Sequence, residues 1–252
     1  VFFTGCSCGC FFCQNHQISQ EQMGRHVSLD ELLDGIRGLL AKGVHNVNFV
    51  TPDHFRPHVV AACRALRAEG VEVPFLYNCS GYMEAGAVDE LTGVIDVFLP
   101  DFKFSDSALA QYCIGDPRYP ELVMKAIARM VENVGFLTPW DDEGGALAER
   151  GVLVRHLVLP GHVENSLGVI EALHARFGCD LPLSVMSQYR PTASCLSRGE
   201  FARTVRSDEY ERVCDRVMDL GFEHVFIQPE FGDEEFLPDF GKDQPFAGNP
   251  SS

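Results

Sequence analysis

An α/β fold built as a partial parallel barrel is what this sequence predicts, and three observations carry that expectation. Short β-branched or aromatic runs alternate with amphipathic stretches along the whole chain, which implies parallel strands joined by right-handed crossovers, in an open doubly wound sheet or a barrel. Runs such as Val47 to Val50 and Leu157 to Leu159 are nearly continuous in apolar residues, as strands covered on both faces require. The expected strands number about seven, short of the eight of a closed barrel. No G-x-G-x-x-G follows the first strand, so the dinucleotide-binding alternative lacks its signature. A partial barrel places its working residues at the strand ends.

The elements follow in order. Val1 to Thr4 reads as a strand. Ser28 to Gly43 is the clearest helix: Ser28 and Glu31 form a capping-box pattern, Leu32, Leu33, Ile36, Leu39 and Leu40 share one face, and Gly43 stops it. Strands are expected at Val47 to Thr51, Val73 to Asn78, Val94 to Phe104, Val152 to Leu159, Leu183 to Ser187 and Phe222 to Gln228. Helices are expected between them, at Pro57 to Glu69, Ala85 to Leu91, Ala108 to Tyr112, Pro120 to Val134, Ser166 to Phe177 and Ser207 to Leu220. Thr138 to Glu149 is a polar, Gly-rich connection. Residues 1–230 read as one domain and residues 231–252 as a C-terminal tail rich in Gly, Pro and acidic residues, able to pack across one barrel end through Phe236, Leu237 and Phe240. The first residue is not Met and already lies in an expected strand, so upstream sequence is expected to be missing.

Composition excludes several classes. A formal charge of −16 with no cluster of Lys and Arg argues against a nucleic-acid partner, because binding a duplex means displacing counterions with clustered cations. No apolar run is long enough to span a membrane and no secretory leader is recognisable, so a membrane partner is not expected. The ten cysteines show no pairing pattern, and 252 residues at 46% hydrophobic content can bury a large core without disulfides. The expected compartment is a reducing cytoplasm. Cys63, Cys113, Cys179 and Cys214 have apolar neighbours and read as small buried hydrophobes.

Cys6, Cys10 and Cys13 stand apart from these, in a C-x3-C-x2-C spacing directly after the first strand. Three thiolates on one tight loop can hold three irons of a 4Fe-4S cubane and leave the fourth iron open to a ligand the protein does not supply. Zinc is the alternative, since His16 follows Cys13 by three positions and completes a Cys3His set. Cys8 falls inside the loop but outside the spacing.

The segment VFFTGCSCGCFFCQNHQIS, Val1 to Ser19, resembles the cluster loop of radical S-adenosylmethionine (SAM) enzymes. The branch it is most similar to is that of the pyruvate formate-lyase activating enzymes and their poorly characterised iron–sulfur homologues. HNVNFVTPDHF, YNCSGY, DVFLPDFKF, VRHLVLPG and LSVMSQYRP look like successive strand ends of that branch. The resemblance implies a partial (β/α)6 TIM-like barrel of the radical SAM type, with a 4Fe-4S cluster on Cys6, Cys10 and Cys13 and SAM chelating the fourth iron.

The same resemblance assigns the strand-end residues. Phe12, just before the last cysteine, would border the adenine, or else pack in the core; Asn15 would anchor the loop and cofactor, or else cap it. Asp101 and Lys103, two apart on an apolar strand, point the same way and match the family's D-x-K cofactor contact, with a surface ion pair as the alternative. Asn78 matches a strand-end position where activating enzymes carry a carboxylate, and the amide puts monovalent-cation binding in doubt. Arg155 sits inside an apolar strand, where a charge is costly unless paired; it would hold the cofactor's ribose or carboxylate, or else a structural ion pair. His156, on the opposite face, reads as packed core. Gln188 would line the substrate opening. Where the family often has Gly-Gly-Glu after the second strand, this chain reads Thr51-Pro52-Asp53-His54; Thr51 is the nearest polar group, with a helix N-cap as its other reading. Cys79 lies beside Asn78 and reads as strand-end packing ahead of a redox role.

The activity this implies is reductive cleavage of SAM to a 5′-deoxyadenosyl radical that abstracts a hydrogen atom, in an oxidoreductase of the activating-enzyme kind. The implied partners are a glycyl radical enzyme as substrate and reduced flavodoxin or ferredoxin as electron donor. Two other readings remain. A radical enzyme acting on a small molecule would have its pocket closed by residues 192–207 and 231–252, and a non-catalytic module would have His16 or Cys8 complete an iron–sulfur or zinc site.

Overall fold

The computed structural model describes residues 1–141, 145–228, 238–242 and 245. Among the described residues there are seven strands, separated by helices except between β4 and β5: β1 (Val47–Val50), β2 (Phe75–Cys79), β3 (Val97–Pro100), β4 (Gly151–Val152), β5 (Val154–Leu157), β6 (Leu183–Met186) and β7 (Val225–Ile227). The helices are α1 (His16–Ser19), α2 (Leu29–Leu40), α3 (Arg56–Ala68), α4 (Ala85–Asp89), α5 (Ser107–Ile114), α6 (Tyr119–Val134), α7 (Val163–Phe177) and α8 (Ser207–Asp219).

Every strand pair is parallel, in a four-stranded sheet β1-β2-β3-β4 and a three-stranded sheet β5-β6-β7. The order follows the chain without reversal, as in a barrel wound one way and unlike a doubly wound sheet with its switch point. A parallel bridge between Asp101 and Arg155 joins the sheets. The expected strand Val152 to Leu159 is thus two pieces: β4 ends the first sheet and β5 begins the second. The break follows Gly151, whose φ of +120° lets the backbone pass so close to Phe136 that an added Cβ would stand 2.2 Å from its carbonyl oxygen. Counted as one interrupted strand, β4 and β5 leave the barrel six strand positions.

Val1 to Thr4 forms no full strand. Phe2 bridges Val50 in parallel, and Val50 N donates to the Val1 carbonyl at 2.8 Å, so a short edge extends the sheet beyond β1. The expected strand Val94 to Phe104 shortens to β3 because Val94 and Ile95 donate to the Leu91 carbonyl and close the turn after α4. Helix α2 carries its capping box as read, with Glu31 N donating to Ser28 Oγ at 3.2 Å and Ser28 N to Glu31 Oε2 at 2.7 Å. Leu33 and Ile36 are buried on its inner face, whereas Leu39 is exposed.

The core lies on both sides of the strands. Phe49, Phe75, Tyr77 and Phe98 are fully buried, α6 covers the first sheet with Val123, Ala126, Ile127 and Met130, and α7 and α8 cover the second with Leu173, Val213 and Val217. Of the tail residues, Phe236 and Leu237 lie outside the described residues. Phe240 packs on Phe2 with ring centroids 5.4 Å apart and donates its N–H to Gln17 Oε1 at 2.7 Å. Among the described residues no helix is long and apolar enough to cross a membrane.

Register sets the site. Val50 pairs with Asn78, Asn78 with Leu99 and Cys79 with Pro100, so the C-terminal ends of β1, β2 and β3 are level. Leu157 pairs with Met186 at the matching end of the second sheet.

Candidate iron–sulfur and cofactor site

The loop between the N-terminal edge and α1 is folded back on itself: Gly5 N donates to the Ile18 carbonyl at 2.9 Å and Cys13 N to the Cys10 carbonyl at 3.1 Å. His54, after β1, anchors its start through an Nε2 contact with the Thr4 carbonyl at 2.5 Å. The ring lies where a Cβ on residue 5 would stand 3.0 Å away, and φ at Gly5 is +83°, so this position requires glycine.

Cys6, Cys10 and Cys13 turn toward the strand ends and line a cavity of about 410 Å³. Two of the sulfurs have donors in place: Cys8 N lies 3.4 Å from Cys6 Sγ and Ser19 Oγ 3.3 Å from Cys13 Sγ. Burial pushes the Cys6 and Cys13 thiols up. Cys10 is pushed well up by its hydrogen bond to Cys8 and by burial. Bound iron would relieve that cost, because a metal takes the thiolate. The donor set therefore fits a thiolate-held cluster.

It does not fit a single ion. The ligand atoms of one tetrahedral zinc crowd together at bonds near 2.3 Å. Among the described residues the trio of potential ligands within 4.8 Å of one another is Cys179, Asp180 and Glu223, at the opposite ends of β6 and β7, and not the cysteine loop. His16, the expected fourth zinc ligand, is turned to Glu21 at 3.6 Å and does not line the cavity. Thiols on separate irons of a cubane carry no such crowding requirement.

Opposite the loop stands a charged wall. Asp101 bonds Lys103 Nζ with one carboxylate oxygen and accepts from Arg155 Nε at 3.0 Å with the other. Burial works to raise Asp101, but Arg155 and Lys103 outweigh it and hold the carboxyl below its ordinary range. Lys103 is held above its ordinary value despite burial, chiefly by Asp101. Arg155 forms the structural ion pair of its alternative reading, and it also lines the cavity. His156, one residue on, is fully buried with Nδ1 2.7 Å from the Phe102 carbonyl, and burial depresses it to about 4.

All the expected ligands and contacts, Phe12, Asn15, Thr51, Asn78, Asp101, Lys103, Arg155 and Gln188 together with the three cysteines, line this one cavity. Their alternatives fare unequally. Asn15 occupies the N-cap position of α1 yet makes no capping hydrogen bond with its side chain. Thr51 caps no helix; it has φ of +55°, a strained conformation for a β-branched residue, and its N–H donates to the Asn78 carbonyl. Phe12 is core as well as lining, stacked on Phe201 at 5.8 Å and edge-on to Phe104. Cys79 is buried at the end of β2 with its thiol raised well up by burial, and it too lines the cavity. Cys63 and Cys113 are buried as read, but Cys179 and Cys214 are only partly so. Residues 192–207 pack beside the cluster loop, with Thr192 Oγ1 donating to the Phe11 carbonyl at 3.4 Å.

Sequence reasoning missed Ser80, Asn48, Gln14, Ser19 and Met186, which also line the cavity. It also missed Asp53, which is buried behind the lining residue Ser80 and accepts from Ser80 N at 3.4 Å and Ser80 Oγ at 3.3 Å. Among the described residues the second carboxylate oxygen of Asp53 has no hydrogen-bond partner, and burial raises the group to about 6. Its place two residues after Thr51 was the available signal. Gly81 continues the strand end at φ +71°, where a Cβ would stand 2.5 Å from the Asp101 carbonyl.

Comparison with known proteins agrees with this geometry. Residues 1–138 match the model of the Radical SAM superfamily, more than half of the chain, and the chain belongs to that superfamily. It is 25% identical over 221 residues to an uncharacterized protein of Methanocaldococcus jannaschii, covering 85% of this chain and 60% of the relative. Among solved structures, SuiB of Streptococcus suis bound to SAM superposes with a TM-score of 0.58 at 12% identity over 90% of this chain and 49% of its own. A domain of pyruvate-formate lyase-activating enzyme from Bacteroides vulgatus gives 0.50 at 15% identity, over 73% of this chain and 97% of that domain. The fold is the radical SAM type of parallel α/β, TIM-like barrel, and the cofactors of the superfamily are a 4Fe-4S cluster and SAM.

Proposed function

We propose that this chain is an activating-enzyme-like radical SAM oxidoreductase that takes a hydrogen atom from a glycine backbone carbon of a partner enzyme. The observation that carries the reading is the cavity itself. Its volume of about 410 Å³ is ringed by the expected cluster and cofactor residues. Small-ligand pockets run from about 300 to 1,000 Å³; in this reading the cluster and one cofactor occupy this space and the substrate comes to its mouth from outside. A protein segment meets that requirement. Two structural neighbours fit the same picture: SuiB has been solved with its precursor peptide SuiA, and another neighbour is the activating-enzyme domain.

In this reading Cys6, Cys10 and Cys13 hold the cluster, which with SAM supplies the 5′-deoxyadenosyl radical chemistry. Lys103 and Arg155, balanced by Asp101, present a fixed charge pattern suited to the cofactor's carboxylate and ribose. Asn15, Thr51 and Asn78 offer hydrogen bonds along the cavity, while Phe12 and the aromatic side chains behind it exclude water. Gln188, whose backbone carbonyl accepts from Gln14 Nε2 at 2.5 Å, borders the substrate side. Reduced flavodoxin or ferredoxin would deliver the electron.

The test is anaerobic reconstitution, reduction with dithionite and addition of SAM together with candidate glycyl radical enzymes. The expected results are 5′-deoxyadenosine in the product mixture and a glycyl doublet by spin resonance. Formation of 5′-deoxyadenosine with no doublet on any partner, and with its new hydrogen drawn from a small molecule, would overturn the activase reading.

A further inference from the structure

Cys8 is the cysteine of the loop that the three-ligand spacing leaves out, and the fold gives it a partner. Its side chain is 3% exposed, lines the same cavity as the expected ligands, and accepts a hydrogen bond from Cys10 Sγ at 3.5 Å. No other thiol–thiol hydrogen bond occurs among the described residues. The neighbouring sulfurs are otherwise engaged, Cys6 Sγ with a backbone N–H and Cys13 Sγ with Ser19 Oγ.

Closing the gap is a small step. A disulfide needs sulfurs at about 2.05 Å and Cα atoms no more than about 6.8 Å apart. Two Cα–Cα steps of about 3.8 Å bent at the middle residue satisfy the second condition. That middle residue is Gly9, with φ of +61° and nothing within 4 Å of the place a Cβ would occupy, so the backbone there can turn without meeting a neighbour. The cavity also gives a small oxidant a route to two thiols that are otherwise buried.

We propose that Cys8 and Cys10 are a dithiol–disulfide pair, an oxidation site that captures the loop when the cluster is lost to hydrogen peroxide. The balance is simple. One thiol sulfur takes an oxygen as the peroxide O–O bond breaks, giving a sulfenic acid and water. The second sulfur then displaces that oxygen as another water while the S–S bond forms. In sum the two thiols give up two electrons and two protons, and the peroxide becomes two waters. The bridge removes Cys10 from the ligand set, so iron cannot rebind, and it keeps Cys10 from the irreversible sulfinic and sulfonic states. A dithiol reductant reopens the site.

The thiol chemistry rests on the loop alone. The iron readout rests on the superfamily's cluster, and neither depends on the activase reading. Reconstituted holoprotein is treated with hydrogen peroxide, alkylated, digested and mapped by mass spectrometry. The expected result is a bridge between Cys8 and Cys10, with the peptide lighter by two hydrogens and with Cys6 and Cys13 alkylated. Iron uptake is lost after peroxide and returns to its starting level after dithiothreitol. In Cys8→Ser and Cys8→Ala, iron uptake before peroxide matches the parent, but after peroxide Cys10 is found as sulfinic or sulfonic acid and dithiothreitol no longer restores uptake. A bridge through Cys6 or Cys13 instead, full alkylation of Cys8 beside an oxidised Cys10, or variants that cannot take up iron before peroxide would each overturn the proposal.

Discussion

Two carboxylates stand at the ends of the strands that flank β2 and behave in opposite ways. Asp101, after β3, is held below its ordinary range because Arg155 and Lys103 outweigh its burial. Asp53, after β1, has no cation bonded to it among the described residues and is raised to about 6, with burial as the leading cause and Ser80 only partly offsetting it. Burial is common to both, so the difference lies in which charged side chains the sheet brings alongside. The bridge between Asp101 and Arg155 joins the two halves of the barrel, and the ion pair is therefore also a seam. Among the described residues no ion pair joins Asp53 to another strand end.

The largest test of this contrast is to break the compensated side. Asp101→Asn leaves Lys103 and Arg155, only partly buried at the cavity wall, beside each other without an anion, and breaking the pair costs up to about 3 kcal/mol, the low end of the range for a fully buried pair. Urea unfolding at neutral pH should report a loss of that size; a loss no greater than that of an exposed surface pair would mean the seam is unimportant.

Asp53→Asn should move stability the other way. A carboxyl whose folded value lies above its unfolded one contributes stability that is complete below about pH 4 and is lost as pH rises through about 6. The parent therefore carries a cost above pH 6 that the amide does not. At roughly 1.4 kcal/mol per tenfold change in proton affinity, the cost is at most about 3 kcal/mol. Thermal unfolding should show the variant more stable at pH 7.5 and level with the parent at pH 4; equal curves at both would show that Asp53 titrates normally.

The smallest effect belongs to Ser80→Ala, which removes one donor from Asp53 and should cost about 1 kcal/mol at pH 7.5. Its loss should shrink when combined with Asp53→Asn, since two residues that share an interaction are not additive. Full additivity in the double variant would deny that the hydroxyl acts on the carboxylate.

Legibility in the sequence followed locality. The cysteine loop could be read because its ligands fall within eight positions of one another, Cys6 to Cys13, and the strand-end pairs because alternation puts Asp101 and Lys103 on one side. The capping box of α2 was legible for the same reason. Asp53 was not, because its importance comes from Ser80, on the next strand end, and from the absence of a cation at its side. Thr51 was found as a position but not as a strained one, since positive φ in a β-branched residue is imposed by the turn between β1 and α3 and has no signature in residue type.

The amino-acid order by itself determined the alternation of strand and helix and the three-thiol loop, because each depends on periodicity or spacing along the chain; the polar residues expected to face the loop came from the family resemblance of the strand-end segments. Which strand ends lie level, the split of β4 from β5, the joining of Asp101 to Arg155 and the contact of Cys8 with Cys10 were decided only in three dimensions. The reason is physical: register and close approach are set by packing against distant residues, and no local pattern encodes a neighbour contributed by another part of the chain.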